Sequence, residues 1–416
     1  RNYVEFVHGA NRLRHPLKRV GDGFERISWD EALDLVYEGI AKSIDAFGPE
    51  SVLPLNYAGP HGQLAGNSMD MRFFYKLGAT QMRRKPLCGG VRGAAYSSLF
   101  GKAPGMPPAQ AVHSDLVMIW GTNVTVANLH LTRVLKNVRR AGGKVVVIDP
   151  KRIKQAEQAD LFLQIKPGTD VVLGLALAAE LEKRGLIDEA FIEEWTHGAD
   201  RYLEHARQYS IEDAARICGV ALSDIEVILS WIENAKNMST CVGVGLERSA
   251  SGGAALRAAM SLNALTGHHG RLGAGVISKS GAFVSMTQDK LQADHIKPDA
   301  REINILDAAN LILDRDNAVP IGAVMVYNHN PVATHPDQAR MIAALSQPEM
   351  FTVGCDVVMT DSMALCDVIL PAASHFEYDD IYGAYGQNYL QRAAPVLHLR
   401  IHLLLAPRLL RRGQQC

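Results

Sequence analysis

Cys88 has the surroundings that most suggest chemistry. It follows Arg83, Arg84 and Lys85 and precedes Gly89-Gly90, which lead into a helix expected over 91–100. Cations and a helix N-terminus favour thiolate, and thiolate is a soft ligand for transition metals. The plainer reading is a small buried hydrophobe, and the local sequence leaves both open. Gly121-Thr122-Asn123 follows an apolar run, 115–120, as a turn able to expose backbone N–H groups. Lys166-Pro167-Gly168-Thr169-Asp170 precedes an Ala/Leu-rich helix, where Asp170 would cap the helix or accept N–H bonds from a ligand base. Gly243-Val244-Gly245, with Glu247-Arg248 behind it, leads into Ser249–Gly253 and another helix, a third possible phosphate cradle. His268-His269 could bind a metal or be an ordinary hydrogen-bonded pair. His375 and Glu377 could be catalytic or simply hold a loop.

The elements that must position these residues form a βαβ unit. Residues 115–120 read as a buried parallel strand, and Leu129 to Arg140 as a helix with Leu131, Val134, Leu135 and Val138 on one face. Lys144 to Ile148 is a second buried strand ending on Asp149-Pro150. Open α/β sheets bind ligands at the carboxyl ends of their strands. The ordinary NAD fingerprint GxGxxG is missing. A second copy follows. Val324 to Tyr327 precedes Asn328-His329-Asn330-Pro331, a helix is expected over 338–346, and a strand from Phe351 ends at Asp356. Each copy closes with an Asp before an apolar run, Asp160 and Asp367. Either any two βαβ units look alike, or the chain carries two related nucleotide-type sites.

At 416 residues the chain can hold two or three domains. Forty-three basic against 44 acidic residues give a net charge of -1, which argues against a general nucleic-acid surface. No apolar run is long enough to span a bilayer. The six cysteines are scattered, with no CxxC, so neither a disulfide framework nor a closed zinc site is indicated. Ser28-Trp29-Asp30-Glu31 reads as a capping box opening a helix to about Ala46. Val52 to Leu55 reads as a strand before Asn56, and Gly62 to Leu77 as a helix.

With these motifs in order, the chain resembles the molybdopterin oxidoreductase family, the group of formate dehydrogenases, dimethyl sulfoxide reductases and nitrate reductases. The resemblance runs from Ile27-Ser28-Trp29-Asp30-Glu31-Ala32 through Gly121-Thr122-Asn123, Ile148-Asp149-Pro150, Lys166 to Asp170, Leu265-Thr266-Gly267 and Asp367 to Ala373, to Tyr385-Gly386-Gln387-Asn388. It implies molybdenum or tungsten held by two molybdopterin guanine dinucleotides. It implies Cys88 as the protein's metal ligand and, with Arg92, the catalytic pair. Asn56, Gly121, Thr122, Asn123, Asp149, Pro150, Lys151, Pro167, Gly168, Thr169, Asp170, Gly245, Asn328, Asn330 and Pro331 would hold the cofactor. The implied activity is two-electron redox chemistry on a small-molecule substrate. An electron-transfer partner or iron–sulfur subunit would take the electrons through a 4Fe-4S cluster whose ligands are not in this chain. Formate-oxidising members place His after the ligand, where this chain has Gly89, which argues against formate. A non-catalytic electron-relay subunit and a non-redox hydratase are the alternatives.

The expected fold is α/β, with two Rossmann-like parallel-sheet domains, helices on both faces and an internal pseudo-repeat. The expected divisions are 1–46 as a leading segment and first helix, 47–110 with 319–397 as the domain carrying the metal-ligand loop, 111–318 as the dinucleotide-binding domain, and 398–416 as an atypical tail. The chain opens on Arg1 and its tail lacks caps and periodicity, so a fragment is expected, without the family's iron–sulfur segment and closing domain and with little activity alone. A cytoplasmic location is expected, or periplasmic if a leader was lost.

Overall fold

The computed structural model describes residues 3–59, 62–66, 68–84, 87–278, 287–383 and 389–397. Lys85 and Pro86, the motif Tyr385-Gly386-Gln387-Asn388 and the tail 398–416 lie outside the described residues.

In chain order the strands are β1 (Leu17–Val20), β2 (Gly23–Arg26), β3 (Val52–Asn56), β4 (Gln81–Arg83), β5 (Leu116–Trp120), β6 (Lys144–Ile148), β7 (Leu161–Leu163) and β8 (Met238–Val242). There follow β9 (Gly275–Ile277), β10 (Glu302–Asn304), β11 (Ala323–Tyr327), β12 (Phe351–Asp356), β13 (Val368–Pro371), β14 (Asp380–Gly383) and β15 (Leu390–Ala393). The chain divides into two compact units, one within 1–87, 286–383 and 390–416, the other within 88–285 and 384–389.

The second unit holds a parallel five-stranded sheet in the order β7-β6-β5-β8-β9. Leu116, Met118 and Trp120 face one core with the helices Asp170–Lys183 and Gly252–Leu265, and Val117 and Ile119 face another with Leu131, Leu135 and Val138 of the helix Leu129–Arg140. Burial on both faces is why the strands read as unbroken apolar runs. The helix Gly90–Phe100 packs Ala95 and Tyr96 into the first of these cores. That contact groups residues 88–110 with this unit, whereas the sequence reading placed them with the other.

The first unit holds a six-stranded sheet, β2-β1-β13-β12-β11-β3. Its strands β13, β12, β11 and β3 are parallel, and the hairpin β1–β2 closes the other edge antiparallel. The hairpin falls in the stretch 1–46 that the sequence reading gave only as a leading segment and first helix. The helix Trp29–Phe47 starts at Ser28, whose Oγ accepts from the Glu31 N–H at 3.1 Å, and it buries Ala32, Leu33, Val36 and Ile40 on one face of the sheet. Burial of Leu33, Val36 and Ile40 contributes roughly 1.5–3 kcal/mol each. The helices Ala308–Leu313 and Gln338–Leu345 cover the opposite face against Leu53, Leu55, Val324 and Val326. Residues 287–318 group with this unit rather than with the second.

The helix expected from Gly62 begins only at Met69 and runs to Leu77. Leu64 and Ala65 instead donate their backbone N–H groups to the Asp380 carboxylate, at 2.8 and 3.1 Å, and a Cβ at Gly62 would overlap that carboxylate. This side-chain contact 316 residues away competes with the helix and wins. No helix among the described residues is long and apolar enough to cross a membrane.

Candidate functional site

In the second unit the expected cofactor residues gather at the carboxyl ends of the strands. Gly121 follows β5 with φ 61°, and its N–H donates to Ile148 O at 2.9 Å, joining it to the end of β6. Gly245, past the end of β8, donates its N–H to Gly121 O at 2.9 Å, and a Cβ there would stand 2.5 Å from that oxygen. A Cβ on Gly121 would overlap Leu246 Cδ1. Glycine is required at 121 by both conformation and space. Thr122 and Asn123 continue the turn, and Thr125 Oγ1 donates to Asn123 Oδ1 at 2.7 Å.

Asp149 ends β6, its Oδ1 accepting from the Lys151 N–H at 2.8 Å across Pro150. Burial raises its carboxyl above the usual range, with Asp170 adding to the effect. Asp170 is buried and does not cap its helix, because Trp120, the last residue of β5, donates its indole N–H to Asp170 Oδ1 at 2.8 Å. Burial raises this carboxyl too. Before it, Pro167 and Gly168 make the turn, with Gly168 at φ 81° and its carbonyl accepting from Ser251 Oγ at 3.1 Å. Thr169 turns its hydroxyl back to Lys166 O at 2.7 Å. Four loops far apart in sequence are thus joined by hydrogen bonds.

Cys88 is exposed, in the turn before the helix Gly90–Phe100. This sets aside the reading of Cys88 as a buried hydrophobe. Its carbonyl accepts from Arg248 Nη2 at 3.2 Å. Arg92, in the first turn of that helix, donates its backbone N–H to Glu247 Oε2 at 3.0 Å. Glu247 and Arg248 stood in the sequence without a role, and no spacing rule links them to Cys88.

In the first unit, Asn328, Asn330 and Pro331 follow β11. Asn328 takes φ 52°, and Ser362 Oγ donates to Asn330 Oδ1 at 2.6 Å while accepting the Val332 N–H at 3.1 Å. Asn328, His329 and Asn330 line a cavity of about 530 Å³ together with Asp356, Ser374 and Tyr378. Pro331 does not line it. It is buried as the first residue of the short helix Pro331–Thr334. Asp356 ends β12, its carboxyl raised by burial. His329 and His335 meet Nε2 to Nε2 at 2.9 Å, and burial, then the neighbouring His335, lowers His329 to about 3. Asn56 is buried, its Nδ2 donating to Tyr327 OH and to Asp70 Oδ2 and its Oδ1 accepting from Arg84 Nη1 at 3.3 Å. Its amide is occupied by protein partners, so it supports the turn from below rather than reaching a ligand.

His268 is held by Thr266 Oγ1 at 2.7 Å and Ala235 O at 3.1 Å, and His269 stacks on Phe100, as a structural pair would. Glu377 accepts from Arg12 Nη2 and from the Ser374 N–H, both at 2.7 Å, and so clamps a loop. His375 packs against Tyr3 and Phe376. Among the described residues no three His, Cys, Asp or Glu side chains converge as a metal site.

The family model for molybdopterin oxidoreductases matches residues 12–397. The probable oxidoreductase YoaE of Bacillus subtilis is 33% identical over 407 residues, covering 95% of this chain and 59% of that protein. The F420-dependent formate dehydrogenase subunit alpha of Methanocaldococcus jannaschii is 26% identical over 411 residues, covering 92% and 58%. Acetylene hydratase from Pelobacter acetylenicus has the same fold over 95% of this chain and 60% of its own, at TM-score 0.77 and 21% identity. The chain therefore spans less than two thirds of the length of each of these proteins.

Proposed function

Because the chain belongs to the molybdopterin oxidoreductase family, we propose that it is the cofactor-holding core of a molybdenum or tungsten enzyme for two-electron chemistry on a small substrate. The family implies a molybdenum or tungsten pterin. The guanine dinucleotide form, a 4Fe-4S cluster and an electron-accepting iron–sulfur subunit belong to this proposal.

The residues present fit such a group. Each unit presents, at the carboxyl ends of parallel strands, a left-handed turn residue followed two positions later by an asparagine, and a carboxyl raised by burial at the end of the next strand. A base or ribose carries the N–H and O–H donors that such a carboxylate accepts. The cavity of about 530 Å³ in the first unit lies in the size range of small-ligand pockets. Gly121, Thr122, Asn123, Pro167, Gly168, Thr169 and Gly245 would support one dinucleotide, with Asp149, Lys151 and Asp170 facing its polar groups. Asn328 and Asn330 would support the other. The metal, when bound, supplies the redox change, and the protein supplies orientation and electrostatics. Cys88 would ligate the metal through its sulfur. Arg92 would hold a substrate oxygen by its guanidinium.

The observation that carries the reading is the exposed Cys88 at a turn fixed by the segment that also contacts the Gly121 turn. The alternatives have less behind them. The hydratase reading draws on a likeness of fold alone, and a relay subunit would have no use for an exposed thiol held in this way. The whole protein, purified without oxygen, is expected to contain molybdenum or tungsten with a sulfur ligand that Cys88→Ala removes, together with at least a hundredfold of the activity. Absence of both metals, or a Cys88→Ala variant identical to wild type, would contradict it.

A further inference from the structure

Cys88 and Arg92 flank the point where a turn becomes the helix Gly90–Phe100. The N-cap position is Gly89, which has no side chain to accept a hydrogen bond, and the first turn carries no acidic residue. The missing acceptor arrives from 155 residues away. Glu247 lies in the single 3-10 turn Leu246–Arg248 after β8. Its Oε2 takes the Arg92 N–H at 3.0 Å, and its side chain is 0% exposed.

The other carboxylate oxygen is the informative one. Glu247 Oε1 is buried and receives no hydrogen bond. Arg92 Nε stands 3.9 Å from it, too far for a hydrogen bond, so the two interact by charge only. A buried acceptor without a donor costs stability. A serine or asparagine at 89 would cap the helix locally without that cost. Glycine at 89 does something else. A Cβ there would stand 3.3 Å from Arg92 Nη2, so the guanidinium folds back over the residue that follows Cys88. Arg248, next to Glu247, holds the Cys88 carbonyl at 3.2 Å. One dipeptide therefore grips the turn at two points, and the bare glycine leaves room for the arginine.

We propose that Glu247 is a positioning residue of this site: it acts through Arg92, fixing both the start of the helix and the guanidinium over Gly89, so that the charge beside the Cys88 turn stands in one place. This rests on the reading of Cys88 as metal ligand and Arg92 as the substrate-facing cation. Glu247 itself touches neither metal nor substrate.

The test separates the cap from the charge in the whole protein. Amide exchange at Arg92 reports the cap, and the rate of phenylglyoxal modification of Arg92, mapped by mass spectrometry, reports the hold on the guanidinium. Glu247→Ala is expected to speed both by about tenfold or more. Glu247→Gln keeps an oxygen for the Arg92 N–H, so exchange stays near wild type while modification still accelerates. Gly89→Ala is expected to accelerate modification with Glu247 intact. In the metal-loaded protein all three should raise KM by more than they lower kcat. Unchanged Arg92 modification in Glu247→Gln, or unchanged KM in Glu247→Gln and Gly89→Ala, would overturn the proposal. Glu247→Gln decides alone should Glu247→Ala fail to fold. Absence of molybdenum and tungsten from the wild type, with both Arg92 responses intact, would overturn the reading of Cys88 and leave the hold of Glu247 on Arg92 supported.

Discussion

In the second unit the turn after β5 opens on glycine, and in the first unit the turn after β11 opens on asparagine. Gly121 after β5 and Asn328 after β11 occupy matching places, at φ 61° and 52°. Each follows an aromatic residue whose polar end donates to a carboxylate, Trp120 to Asp170 at 2.8 Å and Tyr327 to Asp70 at 3.1 Å. The likeness extends to single hydrogen bonds. Val145 N–H donates to Asp160 Oδ2 at 2.9 Å, and Thr352 N–H to Asp367 Oδ2 at 2.7 Å. Strand order repeats as well, β7-β6-β5-β8 against β13-β12-β11-β3. The difference lies in the fourth strand, which in the second unit comes after the repeat and in the first comes before it. In the second unit that strand delivers Gly245 and Leu246 hard against the central turn, and only glycine fits there. In the first unit β3 delivers Asn56, and past it the bare Gly59 leaves room for the side chain: a Cβ on Gly59 would stand 2.5 Å from Asn328 Cβ. A shared scaffold thus fixes the backbone, and the crossing neighbour decides which residue can occupy it.

The largest effect tests that contrast. Gly121→Ala is expected to cost roughly 2–4 kcal/mol, from a left-handed alanine overlapping Leu246, whereas Asn328→Gly should stay within about 1 kcal/mol. Urea unfolding of the two variants compares them, and equal losses would break the contrast. Next come the aromatic donors. Trp120→Phe leaves a buried Asp170 oxygen unpaired and is expected to cost about 1–3 kcal/mol. Tyr327→Phe should cost less, since Asn56 still donates to Asp70 Oδ2. Thermal melts give the order, and a larger loss for Tyr327→Phe would reverse it.

The strand-end carboxyls predict a pH dependence. Asp149 and Asp356 are both raised by burial, so the unfolded chain ionises first as pH rises. Stability is then lost as pH climbs from the ordinary carboxyl value of about 3.9 to the raised folded value, and is flat above it. Asp149→Asn and Asp356→Asn should each gain on wild type between pH 4 and 7 in urea midpoints, and a gain confined to one would mean that the two ends are not alike. The smallest effect is expected from the Asp residues before β7 and β13. Asp367→Asn should cost about 1 kcal/mol and Asp160→Asn less, because the second donor to Asp367, Thr352 Oγ1 at 2.8 Å, is buried, whereas the second donor to Asp160, Arg139 Nε at 3.1 Å, is exposed. Chemical denaturation of the pair ranks them.

Much of this was legible in sequence because it is local. Buried parallel strands show as apolar runs, the Ser28 cap as Ser-x-x-Glu, and the repeat as two series of strand, turn, helix and Asp. What stayed hidden depends on contacts between distant segments. The hairpin β1–β2 follows from edge pairing to β13, which leaves no periodic pattern in 17–26. Asp170 looked like a cap because it precedes a helix, and Trp120 claims it only once β5 is in place. Glu247 carries no motif, and its importance appears with the helix Gly90–Phe100 folded against it.

The central claim of the proposed function is that each unit holds one nucleotide at its strand-end surface. The direct measurement is the ratio of guanosine monophosphate, released by acid hydrolysis, to molybdenum plus tungsten in the whole protein. The account predicts two nucleotides per metal, with loss in both Asp149→Ala and Asp356→Ala. One nucleotide per metal, or none, would contradict it.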